Sequence, residues 1–195
     1  MNNDDTYHLA LGKFVDAFAT AEHNLKFALR KLSGVTDQVA QVIFSSTRVD
    51  IAIIQIRQLY EATGQTPIIE VDSALSQMKA ISTVRNAIMH YGASVDGEHF
   101  TTSKGPHALP SKAEIRHHPI IDLEKMTVDL LVVGRRFMWI CVQDMPNAFP
   151  EAIKLLDDVS SIPLRYKPPQ ATPDHKEHAR APKHPNSAQK PTDQQ

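Results

Sequence analysis

Apolar residues recur at steps of three and four over four long stretches of this chain, and that spacing commits it to packed helices. Residues 6–32 are the clearest case: Phe14, Phe18, Ala21, Leu25, Ala28 and Leu32 form one stripe down a long helix. Gly34 stands where a C-terminal cap belongs. Residues 36–45 predict a short helix. Residues 48–62 predict the next, with Val49, Ala52, Ile53, Ile56, Leu59 and Tyr60 on or near one face, before Gly64 and Pro67 stop it. Residues 70–91 continue the pattern through Leu75, Met78, Ile81, Ser82 and Val84, with Gly92 as the stop. The last strong helix is expected over 123–144, carrying Leu130, Leu131, Val133, Phe137, Met138, Ile140 and Cys141. Asp122 reads as its N-cap and Ile121 as a staple against Met126. A further short helix is expected over 148–159, with Pro150 tolerated in its first turn.

Residues 92–119 break the helical period. Gly97, Gly105, Pro106 and Pro110 accumulate there, and the pieces 99–102 and 113–118 read as two short strands that pair. The expected fold is therefore all-α, residues 1–165, with a small irregular or hairpin insertion at 92–119. From Tyr166 onward the composition changes again. That stretch holds six of the 13 prolines and, after Tyr166, no apolar side chain larger than alanine. It buries too little surface to offset the entropy of ordering, so 166–195 reads as a disordered, Pro-rich tail.

Composition limits the function classes. The chain has 195 residues and a formal net charge of -1, so no global basic field draws it to nucleic acid. The tail carries +2, which leaves about -3 on the body, and any RNA binding has to come from a local cluster. Cys141 is the single cysteine, which rules out an internal disulfide framework and a cysteine-based zinc site and suits a reducing cytoplasm. The start, MNNDDTYHLA, is acidic and polar, unlike a signal peptide. No apolar run reaches about 18 residues, so no membrane span is expected. P-loop, Rossmann and α/β-hydrolase signatures are all missing from the sequence.

The chemistry-bearing run is Val84-Arg85-Asn86-Ala87-Ile88-Met89-His90-Tyr91-Gly92, at the end of a predicted amphipathic helix. An arginine grips phosphate at two points, and a histidine exchanges protons near neutral pH. Together they supply a charge clamp and a proton-transfer group for phosphodiester cleavage. Asn86 and His90, four apart, share a face, whereas Arg85 lies about 140° around the axis from His90. The arginine must lean across, or another surface must complete the site.

This run resembles the R-N-x-x-x-H motif of HEPN domains, small helical bundles many of which are ribonucleases of bacterial defence and toxin–antitoxin systems. The likeness covers roughly residues 8–145, and only the motif is residue-specific. It implies a metal-independent, cofactor-free endoribonuclease acting in a homodimer, with both motifs facing one shared cleft and an antitoxin or other defence-system protein as partner. His90 would deprotonate the ribose 2′-OH or protonate the leaving 5′-oxygen. Arg85 would stabilise charge on the phosphate, and Asn86 would orient His90 or bind substrate. Tyr91 would stack on a base or support the cleft.

The same residues admit plainer readings. A basic residue near a helix C-terminus favours the dipole without any catalytic role. A catalytically silent HEPN-like module binding a protein or nucleotide, and a generic helical interaction protein, both remain open. Glu22, in the run Glu22-His23-Asn24, either reaches the cleft or belongs to a solvated face. Arg48 and the Arg135-Arg136 pair either track a phosphate backbone or snorkel. His99, His107, His117 and His118 lack a carboxylate at ligand spacing and read as loop residues rather than a metal site.

Overall fold

The computed structural model of the chain describes residues 3–104, 114–143 and 162–169, together with Pro150, Lys154 and Asp158. The helix expected over 148–159 and the tail beyond residue 169 lie outside the described residues, apart from those three positions.

Helix α1 (Asn3–Ser33) packs directly along α5 (Ile121–Val142), with α2 (Asp37–Phe44) and α3 (Val49–Ala62) against α1, and α4 (Ile69–Tyr91) against α3 and α5. The long α1–α5 contact is close because its side chains are small. Ala17, Ala21 and Ala28 are buried on α1, and Gly134 of α5 lies so near that an added Cβ would stand 3.2 Å from the Asn24 side chain. Asn24 uses that proximity: its Nδ2 donates to the Gly134 carbonyl at 3.2 Å. The stripes anticipated from the sequence point inward. Phe14, Leu25, Ile53, Ile56, Leu75, Met78, Ile81 and Phe137 are all buried, and Leu131 is the exception, exposed on α5. Fully burying such a side chain is worth about 1.5–3 kcal/mol. The surface pairs Lys26–Glu22 and Arg57–Asp72, each at 2.9 Å, are worth about 0–1 kcal/mol apiece. The apolar core therefore holds this bundle.

The insertion is more regular than expected. Strands β1 (Ala93–Asp96), β2 (His99–Lys104) and β3 (Glu114–Pro119) form an antiparallel sheet in that order. The two pieces anticipated as strands do pair, as β2 and β3, while β1 has one bulky apolar residue, Val95, and too little pattern to be read. Gly92 ends α4 and launches β1 at φ 76° and ψ -179°, a combination open essentially to glycine alone. Register puts Val95, Phe100 and His118 in one row and Ala93, Thr102 and Arg116 in the next, on the same side of the sheet. Phe100, Thr102 and His118 are buried, so this side faces the helices.

Two expectations about α5 are corrected. Its cap position is Ile120, in αR geometry without a side-chain cap bond, and Asp122 lies inside the first turn, accepting from Lys125 Nζ at 2.9 Å. Ile121 is the first helical residue and half exposed, while Ile120 is the buried neighbour. The chain enters α5 directly from β3, and the Ile120 N–H donates to the Glu98 carbonyl at 2.8 Å. A core residue thus takes the place that a polar cap would need.

The histidines at 99, 117 and 118 also prove to be strand residues, and His107 lies outside the described residues. His117 shares a hydrogen bond with Thr101 at 3.0 Å. His118 is fully buried and stacked on Phe100 with ring centroids 4.8 Å apart. Burial lowers its pKa, Arg116 and His117 add to that, and Asp122 opposes it. Its folded value thus lies below its unfolded value of about 6.5. The unfolded chain then takes up a proton that the folded chain refuses, and stability declines as pH falls below that value. Urea midpoints measured from pH 8 to pH 5 should drop on the acid side, and His118→Gln should flatten that decline.

The packed chain extends past the boundary expected at residue 165. Tyr166 is buried, and burial pushes its hydroxyl up to about 12. Asp129 of α5, fully buried, accepts from the backbone N–H of Arg165 at 2.8 Å, from that of Tyr166 at 2.8 Å, and from Gln77 Nε2 at 2.7 Å. Gln77 also donates to the Tyr166 carbonyl at 3.0 Å. Arg136, read from sequence as a phosphate-tracking or snorkelling residue, is instead buried and structural. It donates to Ser73 Oγ at 2.7 Å and to the Ile162 carbonyl at 2.9 Å. These polar groups strap 162–166 across α4 and α5. Deleting residues 170–195, whose composition offers no apolar anchor, should leave the melting temperature within a few degrees of the full chain. A deletion that also removes 162–169 should lower it clearly.

Candidate active site

Arg85, Asn86 and His90 occupy the last two turns of α4, beside the start of β1. Arg85 and Asn86 are half-buried, and His90 and Tyr91 are exposed. Arg85 reaches across to α1. Its guanidinium sits over the Phe18 ring of α1, 5.3 Å from the centroid, and its Nη1 donates to Asn86 Oδ1 at 3.1 Å. A cation over an aromatic face gains about 0.5–2 kcal/mol, enough to hold a preferred pose. Asn86 therefore positions Arg85 rather than His90, the opposite of one role anticipated for it. The His90 and Tyr91 rings meet edge-on at 6.3 Å.

These residues line one groove with two halves. The first, about 450 Å³, is bounded by Phe18, Glu22, Arg48, Asp50, Arg85 and His90. The second, about 410 Å³, runs on towards the sheet and is bounded by Lys79, His90, Tyr91, Thr102, Ser103 and Arg116. Arg48, Asp50, Ser82, Asn86 and His90 are common to both halves. All six residues anticipated from the sequence thus border the groove. Glu22 is tied to Lys26 at 2.9 Å, and Arg48, at the N-cap of α3, to Asp50 at 3.3 Å.

Sequence reading missed Phe18, Lys79, Thr102, Ser103 and Arg116 as groove residues. Lys79 had a signal, because it precedes Asn86 by two helical turns on the same face. Arg116 had none, since its place depends on strand register. Phe18 was visible only as part of a core stripe. Among the described residues, no group of three or more His, Cys, Asp or Glu side chains is arranged to hold a metal ion. No helix among them is long and apolar enough to cross a membrane.

The groove can bind an anion at Arg85 and exchange a proton at the exposed His90, and these are the two operations phosphodiester cleavage requires. Comparison with protein-family models, with curated proteins and with solved structures finds no match.

Proposed function

We propose that this protein is a metal-independent endoribonuclease of the HEPN type, serving as a toxin or defence protein in the cytoplasm. One observation carries the reading: Arg85, Asn86 and His90 of the motif border a single groove at the end of a bundle helix, with Arg85 held by Phe18 and Asn86. His90 takes the proton from the ribose 2′-OH as that oxygen attacks phosphorus. Arg85 offsets the negative charge that builds on the phosphate oxygens. The P–O5′ bond breaks, the departing oxygen gains a proton, and the products are a 2′,3′-cyclic phosphate and a 5′-hydroxyl.

A single His90 cannot act as base and acid in the same step. A second copy of the chain, facing the groove with its own motif, supplies the other histidine. The test pairs cleavage with assembly. Purified protein should cut RNA with EDTA present, yield cyclic-phosphate ends, and sediment as a dimer at tens of micromolar. A monomer at that concentration counts against the shared cleft. Absence of cleavage under every partner and trigger condition would favour the catalytically silent module instead.

A further inference from the structure

Beyond the motif, the groove has a second basic wall. Lys79, Thr83, Asn86 and His90 stand at steps of four, three and four along α4, so they share one face of that helix. Across from them, β3 contributes Arg116, paired in register with Thr102 on the side of the sheet that faces the helices. Lys79, Tyr91 and Arg116 border only the half of the groove nearer the sheet, and Arg85 borders only the other half. A chain of anions laid past His90 therefore meets a cation on either side of it.

Charge at this place has to be supplied by side chains. The C-terminal end of α4 carries partial negative charge, which repels phosphate, and Asp50 stands nearby. Arg48 is already matched by Asp50. Lys79 is exposed and makes no ion pair among the described residues. The body as a whole is slightly acidic. Basic residues on both walls of one groove are thus a local feature, opposed to the overall balance.

We propose that Lys79 and Arg116 form a phosphate subsite for single-stranded RNA, gripping a phosphate beside the scissile one. The proposal rests on the ribonuclease reading and extends it to the strand that the groove holds. RNA suits this half of the groove better than an acidic peptide does. Tyr91, exposed at the rim, offers a ring for a base, and the partly exposed Ser103 offers a hydroxyl for ribose or phosphate.

The test uses the full chain and a fluorescent, unstructured RNA oligonucleotide with 2′-O-methyl groups, which binds without being cut. Lys79→Ala and Arg116→Ala should each weaken binding about 3- to 10-fold and lower the slope of log affinity against log salt by about 0.7. Arg116→Lys should restore most of the loss at that position. Lys79 projects from an exposed helix face, so its variant reports on binding whatever Arg116→Ala does to the sheet. The subsite is overturned if the wild-type chain does not bind the oligonucleotide, or if Lys79→Ala leaves both affinity and slope unchanged. It is also overturned if polyglutamate of equal charge competes as well as the RNA does. Cleavage of the unmodified oligonucleotide is scored separately. Binding that depends on Lys79 and Arg116 without any cleavage keeps the subsite and removes the nuclease. Cleavage with binding indifferent to both removes the subsite alone.

Discussion

RNA cleavage should fall about 10²- to 10⁴-fold in His90→Ala and by a comparable factor in Arg85→Ala. Folding should survive both changes. His90 is exposed at the helix end, where its ring meets that of Tyr91 edge-on. Arg85 gives up one hydrogen bond and its place over Phe18, a loss of about 1–3 kcal/mol. Single-turnover rates beside thermal melts separate the two effects. Asn86→Ala should be milder and should resemble a partial Arg85 defect, because Asn86 holds the guanidinium and not the imidazole. It should weaken phosphate binding more than it shifts the pH profile. If both alanine variants still cut RNA, the motif has no part in the chemistry. EDTA should leave the wild-type rate unchanged.

The largest expected loss of stability lies outside the lining of that groove, at Asp129. Its carboxylate is fully buried and receives two backbone amides and the Gln77 side chain. Alanine there removes every acceptor at once. The strap either stays docked with unpaired donors or lifts away and exposes Tyr166. Hydrogen bonds to a charged group are worth about 1.5–3 kcal/mol each, and some of these donors regain water when the strap lifts. A net loss on the order of 3 kcal/mol follows, which for a chain of this size is roughly 6–12 °C in melting temperature. Asp129→Asn, which keeps shape and one acceptor oxygen, should cost less. A melt within about 2 °C of wild type for Asp129→Ala would mean that the strap contributes almost nothing.

Much of this fold is legible in the chain because its helices are amphipathic. A stripe such as Phe14, Phe18, Ala21, Leu25 and Ala28 needs no tertiary information to be placed on one face. The same holds for the order of the helices and for the position of Arg85, Asn86 and His90 at a helix end. What could not be read depends on partners distant in sequence. Asp129 and Arg136 look like ordinary helix charges until residues 162–166 lie across them. Tyr166 opens a proline-rich stretch, and composition alone assigned it to the tail. Strand β1 is four residues long with one bulky apolar side chain, and it exists because β2 offers an edge. Arg116 reaches the groove only through that sheet. The pose of Arg85 likewise required Phe18, 67 positions earlier in the sequence.

Gly92 gives this architecture a mechanical property. It joins the helix that carries Arg85 and His90 directly to the sheet that carries Arg116, and it holds φ 76° with nothing within 4 Å of where a Cβ would stand. An alanine Cβ there would collide with nothing, so the penalty of Gly92→Ala is torsional. The chain would relieve it by turning the sheet relative to the helix, and the spacing between the two walls would change with that turn. How bulky a strand the groove admits is thus written into one backbone angle, at a residue with no side chain of its own.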